Sequence, residues 1–219
     1  MKTIMAVFLL MLALIQPALG AEASLDTVDV YIVPLQDFPE QAAAKIAQSM
    51  SDDMKLWVKA TMRIGDLGIA KLPGTNQLIA EDIIERSQPV LGRLPEGSDK
   101  THFLLLTTSD INSRAGGTRF QFSSHNREFR TSVVSLARML DYVDGQPVLD
   151  NLALTRLYKM MKRAIGEMRL GWKRSTNLND IMYSPIMSVD DLDRIGINHV
   201  ESPPQDEDSD KSVRPRKSI

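Results

Sequence analysis

Two short runs constrain this chain more than any other feature. Residues 28–35 (VDVYIVPL) and 102–108 (HFLLLTT) are β-branched, aromatic and aliphatic, and largely apolar on both faces of an extended backbone. A strand with one wet face alternates in polarity, so a strand without alternation must be covered on both sides. Each run therefore reads as a buried strand, the second of them central, in a sheet sandwiched by helices. Helical patterns fall around them. Asp37 and Pro39 open the first helix, with proline just inside its start. Ala42, Ile46, Met50 and Met54 then recur at near-helical spacing. Residues 78–90 form a second helix, with Ile79, Ile83 and Ile84 as core candidates. A third spans about 155–170, where Leu157, Met161, Ala164, Ile165 and Met168 line one apolar face.

The remaining patterns are weaker. Leu56, Val58, Ala60, Met62 and Ile64 alternate, which suggests a half-exposed strand. Residues 118–123 alternate around Phe120 and Phe122 and read as an edge strand, and 131–136 (TSVVSL) as another strand. Stretches 65–76, 92–99 and 113–117, and one through Gly145-Gln146-Pro147, read as turns or loops. The order β-α-β-α-β-β-β-α predicts an α/β sandwich: a mixed sheet with a late helix packed beneath it.

The N-terminus reads as a cleavable signal peptide over residues 1–20. Lys2 supplies the positive region, residues 4–15 are uncharged and apolar, and Gln16-Pro17 breaks the run. Ala18-Leu19-Gly20 offers a small-residue cleavage site. The apolar run falls short of the ~20 residues that span a bilayer. The expected location is therefore the periplasm or the medium, with no membrane span after cleavage. The globular domain is expected over 24–197. Residues 198–219 hold a proline pair, an acidic cluster (Asp206, Glu207, Asp208, Asp210) and a short basic end, and read as a disordered polar tail.

Composition narrows the chemistry. A net charge of −2 with no basic stripe argues against nucleic acid as a partner. The chain has no cysteine, which removes thiolate metal sites and thiol nucleophiles. Its three histidines, His102, His125 and His199, are far apart, and no pair has the i, i+4 spacing that puts two imidazoles on one helix face. Residues 92–98 have the glycine spacing of a phosphate loop but lack its lysine, and Pro95 removes a backbone donor. Ser124 and His125 are neighbours in sequence, which by itself makes no nucleophile–base pair. Asp190, Asp191 and Asp193 read as a helix start.

Residues 156–196 resemble the active-site half of metzincin zinc peptidases, most closely the archaemetzincin branch. That family carries H-E-x-x-H-x-x-G-x-x-H on a helix ending at the glycine, then two cysteines, and a methionine in a Met-turn. Anchored on Gly171, the pattern puts Ala164, Met168 and Arg174 at the three ligand positions and Ile165 at the catalytic glutamate. Ser175 and Asp180 take the cysteine positions, and Met182 takes the Met-turn position. The resemblance extends over most of 28–196. It implies a metzincin-like metallopeptidase fold with a mostly parallel twisted sheet, packed helices and a Met-turn.

Every implied metal ligand differs, so the expectation is an exported, non-catalytic pseudopeptidase without metal or other cofactor. Its implied partner is a peptide or an envelope protein. The family's substrates lie along an edge strand, which by resemblance falls on Thr118, Phe120 and Phe122. Arg174 would pair with an acidic side chain or chain terminus of a ligand, or with Asp180 or another local acid, and both readings stand open. The alternative is a secreted zinc metallopeptidase with a relocated site built from His102, His125 or His199 with aspartates. A third possibility is a structural envelope protein with no pocket function.

Overall fold

The structure, a computed structural model, describes residues 27–200. The signal-peptide reading, and the tail reading beyond residue 200, lie outside the described residues. The main sheet is built from β1 (Val30–Pro34), β2 (Val58–Ala60), β4 (His102–Thr107), β6 (Ser123–Asn126) and β7 (Thr131–Ser135), in the order β2-β1-β4-β7-β6. All neighbours are parallel except β6, which runs antiparallel to β7. Ile32 lies opposite Leu104, and Leu105 opposite Val133.

Both runs that opened the sequence reading are fully buried strands, because the sheet carries helices on both faces. Val30, Ile32, Leu104, Leu106 and Val134 face α1 (Glu40–Met54), α3 (Asn151–Met168) and α4 (Val189–Arg194). Tyr31, Val33, Phe103, Leu105 and Val133 point the other way, towards Ile83, Ile84 and Leu91 of α2 (Ala80–Leu91). The buried stripe of α1 is Ala43, Ala47 and Met50, one residue round from the one expected. Ala42, Ile46 and Met54 flank it.

Local rules fix the element ends. Asp150 caps α3 by accepting the Ala153 amide at 2.8 Å, and Ser188 and Asp191 form a reciprocal capping box on α4. The helix start expected at Asp190 and Asp191 is therefore present. The stretch through Gly145-Gln146-Pro147, read as a loop, belongs to a hairpin of β8 (Asp141–Val143) and β9 (Gln146–Val148). Asp144 and Gly145, with φ of 52° and 76°, make its turn. A two-residue ribbon pairs β3 (Leu78–Ile79) with β5 (Ile111–Asn112).

The expected edge strand at 118–123 is displaced. The edge strand is β6, and residues 118–122 are irregular. The Asn112 and Gln77 side-chain amides donate to the carbonyls of Thr118 and Arg119, each at 2.9 Å. The Gln121 amide bonds the Ile111 carbonyl. Backbone groups captured this way cannot extend the ladder. The alternating strand expected from Leu56 to Ile64 shrinks to Val58–Ala60. Among the described residues no helix is long and apolar enough to cross a membrane.

Candidate functional site

Helix α3 carries the site on one side and anchors the chain end on the other. Arg156, Lys159, Lys162 and Arg163 are all buried. Arg156 makes a two-pronged ion pair with Asp193, both contacts at 2.7 Å, and also reaches Asp141 and the Met139 carbonyl. Lys159 donates to the carbonyls of Leu192, Asp193 and Ile195 where α4 ends, satisfying orphan acceptors of a helix C-terminus. Lys162 reaches Asp53 at 2.6 Å and Asn198 at 3.2 Å. Arg163 donates to the carbonyls of Ile181 and Tyr183, on either side of Met182.

The chain leaves α3 through Gly171, whose φ of 71° favours glycine. Trp172 then folds back over the helix: a Cβ on Gly166 would stand 2.0 Å from its indole. His199 stacks on that indole at 4.5 Å and bonds Asp180 at 3.0 Å. Met182 is fully buried, and its amide donates to Asp180 at 2.8 Å. Burial would raise the Asp180 carboxyl, but the Met182 amide and His199 outweigh it and hold the group below the ordinary range. The Ser175 amide bonds the Met182 carbonyl at 3.0 Å. Ser175 and Asp180 thus tie the bend together by hydrogen bonds.

On the other side of α3 lies an open cleft of about 460 Å³. Its walls include Thr118, Phe120, Phe122, Met160, Ile186 and Met187, and Ser123, His125 and Arg174 supply polar groups. Phe120 and Phe122 meet edge to face at 5.1 Å. His125 bonds the hydroxyls of Ser132 at 2.7 Å and Ser123 at 3.2 Å. Burial pushes its ring down to about 4; Glu167 opposes that, while Arg174, Arg163 and Arg127 add to it. His102, on β4, is fully buried, and neither ring nitrogen has a partner among the described residues. Burial, with His125 nearby, lowers it to about 3. The Arg130 carbonyl favours the charged ring without reaching hydrogen-bond geometry.

The residues singled out by sequence separate here. Ala164 and Ile165 are packed in the core beneath the sheet, and Met168 is half-buried. Of Ala164, Met168 and Arg174, only Arg174 lines the cleft. It pairs with Glu167, a local acid other than Asp180. Thr118, Phe120 and Phe122 do line the cleft, as an irregular wall. His125 and His199 are hydrogen-bonded to different groups and His102 is buried without a partner, and among the described residues no three His, Cys, Asp or Glu side chains converge as a metal group. Sequence reasoning missed Met160 and did not join Glu167 to Arg174. Met160 and Glu167 sit one helical turn either side of Ala164, the signal that would have found them.

A second, smaller cavity of about 160 Å³ lies beyond the ends of β1 and β4, beside Leu35, Asp37, Gly65 and Thr107. The Asp37 carboxylate accepts from the Thr107, Thr108 and Ser109 hydroxyls and the Thr108 amide. It is committed to closing that loop.

Sheet order, the long helix beneath the sheet and the turn after it define the class: an archaemetzincin-like metallopeptidase fold. Among solved structures sharing it is a zinc-dependent peptidase from Methanocorpusculum labreanum, 18% identical, with a TM-score of 0.64 over 78% of this chain and 95% of that one. The archaemetzincin of Methanopyrus kandleri is 22% identical, with a TM-score of 0.59 over 80% of this chain and 89% of that one. The archaemetzincin of Archaeoglobus fulgidus, solved with malonate, is 23% identical with the same TM-score, over 78% and 94%. No family model and no curated protein matches the sequence. Likenesses at this identity establish the fold.

Proposed function

We propose that this chain is an exported pseudopeptidase: a metzincin-like scaffold that binds an extended peptide, or such a segment of an envelope protein, without cutting it. The donor set at 164, 168 and 174 carries the reading. Catalytic zinc takes three nitrogen or oxygen donors and keeps an open position for water. Ala164 offers no donor and is packed in the core. Met168 brings a soft thioether, a poor zinc ligand. Arg174 is permanently cationic and already paired with Glu167. Ile165 cannot take a proton from water. These residues do not fit a zinc ion. Met182 nevertheless sits buried in a tight turn gripped by Asp180 and Arg163, which supports a retained Met-turn.

The binding surface is the free side of β6 together with the cleft under it. β6 ends the sheet order, so it leaves main-chain groups open to strand addition. Thr118, Phe120 and Phe122 form the apolar wall beside it. The test uses mature protein recovered from the periplasm, expected to begin at Ala21. Elemental analysis is expected to find no stoichiometric zinc, and chelator treatment is expected to leave its behaviour unchanged. Stoichiometric zinc, with peptide cleavage lost on chelation, would overturn the reading in favour of a relocated catalytic site.

A further inference from the structure

The charges around the cleft do not balance. Arg174 and Arg119 line it, Arg127 approaches Glu167 at 3.5 Å, and Arg163 lies buried behind. Among the described residues, Glu167 is the carboxylate shared between Arg174 and Arg127, while Asp180 acts on Arg163 and Asp191 accepts the amide of Met187. His125 adds no compensating anion. Arg163 also keeps a buried Nε with no partner among the described residues. Burial, and next the nearby Arg174, lower the Arg163 guanidinium to about 10, so the two cations repel.

The Arg174 side chain is 47% exposed, while Glu167 is 19% exposed and anchored on α3. Arg174 is therefore the more accessible half of the pair. Guanidinium accepts a carboxylate two-pronged wherever geometry permits. We infer that the peptide bound by this cleft carries an acidic side chain that takes Arg174 from Glu167, whose carboxylate holds that place in the free protein. Glu167 keeps Arg127 when the exchange occurs. The ligand carboxylate supplies a further negative charge where Arg174 and Arg127 share one. Phe122, Met160, Ile186 and Met187 cover the apolar side chains flanking that acid. The inference rests on the peptide-binding reading above and gives it a ligand class.

Two fluorescent, end-blocked nonapeptide pools test it. Both are random except at the centre, which is glutamate in one and glutamine in the other. Titrated by anisotropy with the whole mature protein, the glutamate pool is expected to bind about tenfold tighter, as a charge-assisted pair allows. R174M is expected to erase that preference while glutamine-pool binding persists. E167Q is expected to tighten the glutamate pool about threefold, because it frees Arg174. Equal binding of the two pools to the wild-type protein overturns the acidic preference and leaves peptide binding standing. Binding of neither pool overturns both readings. A glutamate preference that E167Q leaves unchanged removes Glu167 as the stand-in. If E167Q fails to fold, R174M with the two pools decides.

Discussion

Arg156, Lys159, Lys162 and Arg163 lie on the side of α3 that meets residues 180–198, and all are buried with carbonyls or carboxylates around them. Arg174 and Arg127, on the cleft side, are about half and about three-quarters exposed and share one carboxylate. Both regions use basic side chains, to opposite ends. The buried set fixes the turn around Met182 and the position of α4, since an unpaired buried cation is costly and each has found partners. The exposed set adds little to stability and can change partners. The fold thus grips the bend rigidly and leaves a movable charge at its mouth.

The largest effect should come from the rigid side. Arg156→Met strands Asp193, Asp141 and the Met139 carbonyl. Asp193 and Asp141 can still reach water, so the loss should lie near the lower end for a broken buried pair, about 3 kcal/mol in urea unfolding. A loss under about 1 kcal/mol would show that the two sides of α3 do not differ as described.

The next effect is a pH dependence centred on the strands beside the cleft. His102 and His125 are neutral when folded because burial lowers both, to about 3 and about 4. The unfolded rings titrate near 6.5. Below that value the unfolded chain binds protons that the folded chain does not. Stability is therefore full above about pH 6.5 and falls as the pH drops towards 4 and then 3. By pH 5, His102 alone should account for about 2 kcal/mol. His102→Phe should flatten the slope in urea melts between pH 7 and 5. An unchanged slope would mean that the ring is solvated or paired when folded.

Much of this architecture is legible in the sequence because its cause is local. Continuous apolar runs mark β1 and β4, Ser188 with Asp191 marks α4, and Gly171 with Met182 at their spacing marks the bend. The β8–β9 hairpin reads as a loop although Asp144-Gly145, one of the dipeptides that accept two positive φ angles, carries its signal. The edge strand was not legible. Its position depends on Asn112 and Gln77 capturing the 118–119 backbone, and alternation around Phe120 cannot report that contact. The buried cations of α3 are illegible for a related reason. Lys159 finds its carbonyl acceptors more than thirty residues along the chain, and hydropathy alone places such a side chain in solvent. The cleft therefore emerged from the sequence with its wall known but without the pairing of Arg174 with Glu167.

The smallest expected effect sharpens the comparison most. Arg174→Met removes a half-exposed guanidinium whose partner, Glu167, keeps Arg127 at 3.5 Å. Exposed pairs contribute about 0–1 kcal/mol, and a methionine keeps much of the stem that packs along the cleft. The urea midpoint should therefore shift by no more than about 0.5 kcal/mol equivalent. The same substitution type at Arg156 costs several times more, because that guanidinium is buried and binds two carboxylates and the Met139 carbonyl at once. A comparable loss at both positions would make Arg174 a structural pin like the others. Its pairing with Glu167 would then be permanent, and Arg174 would not be available to a ligand.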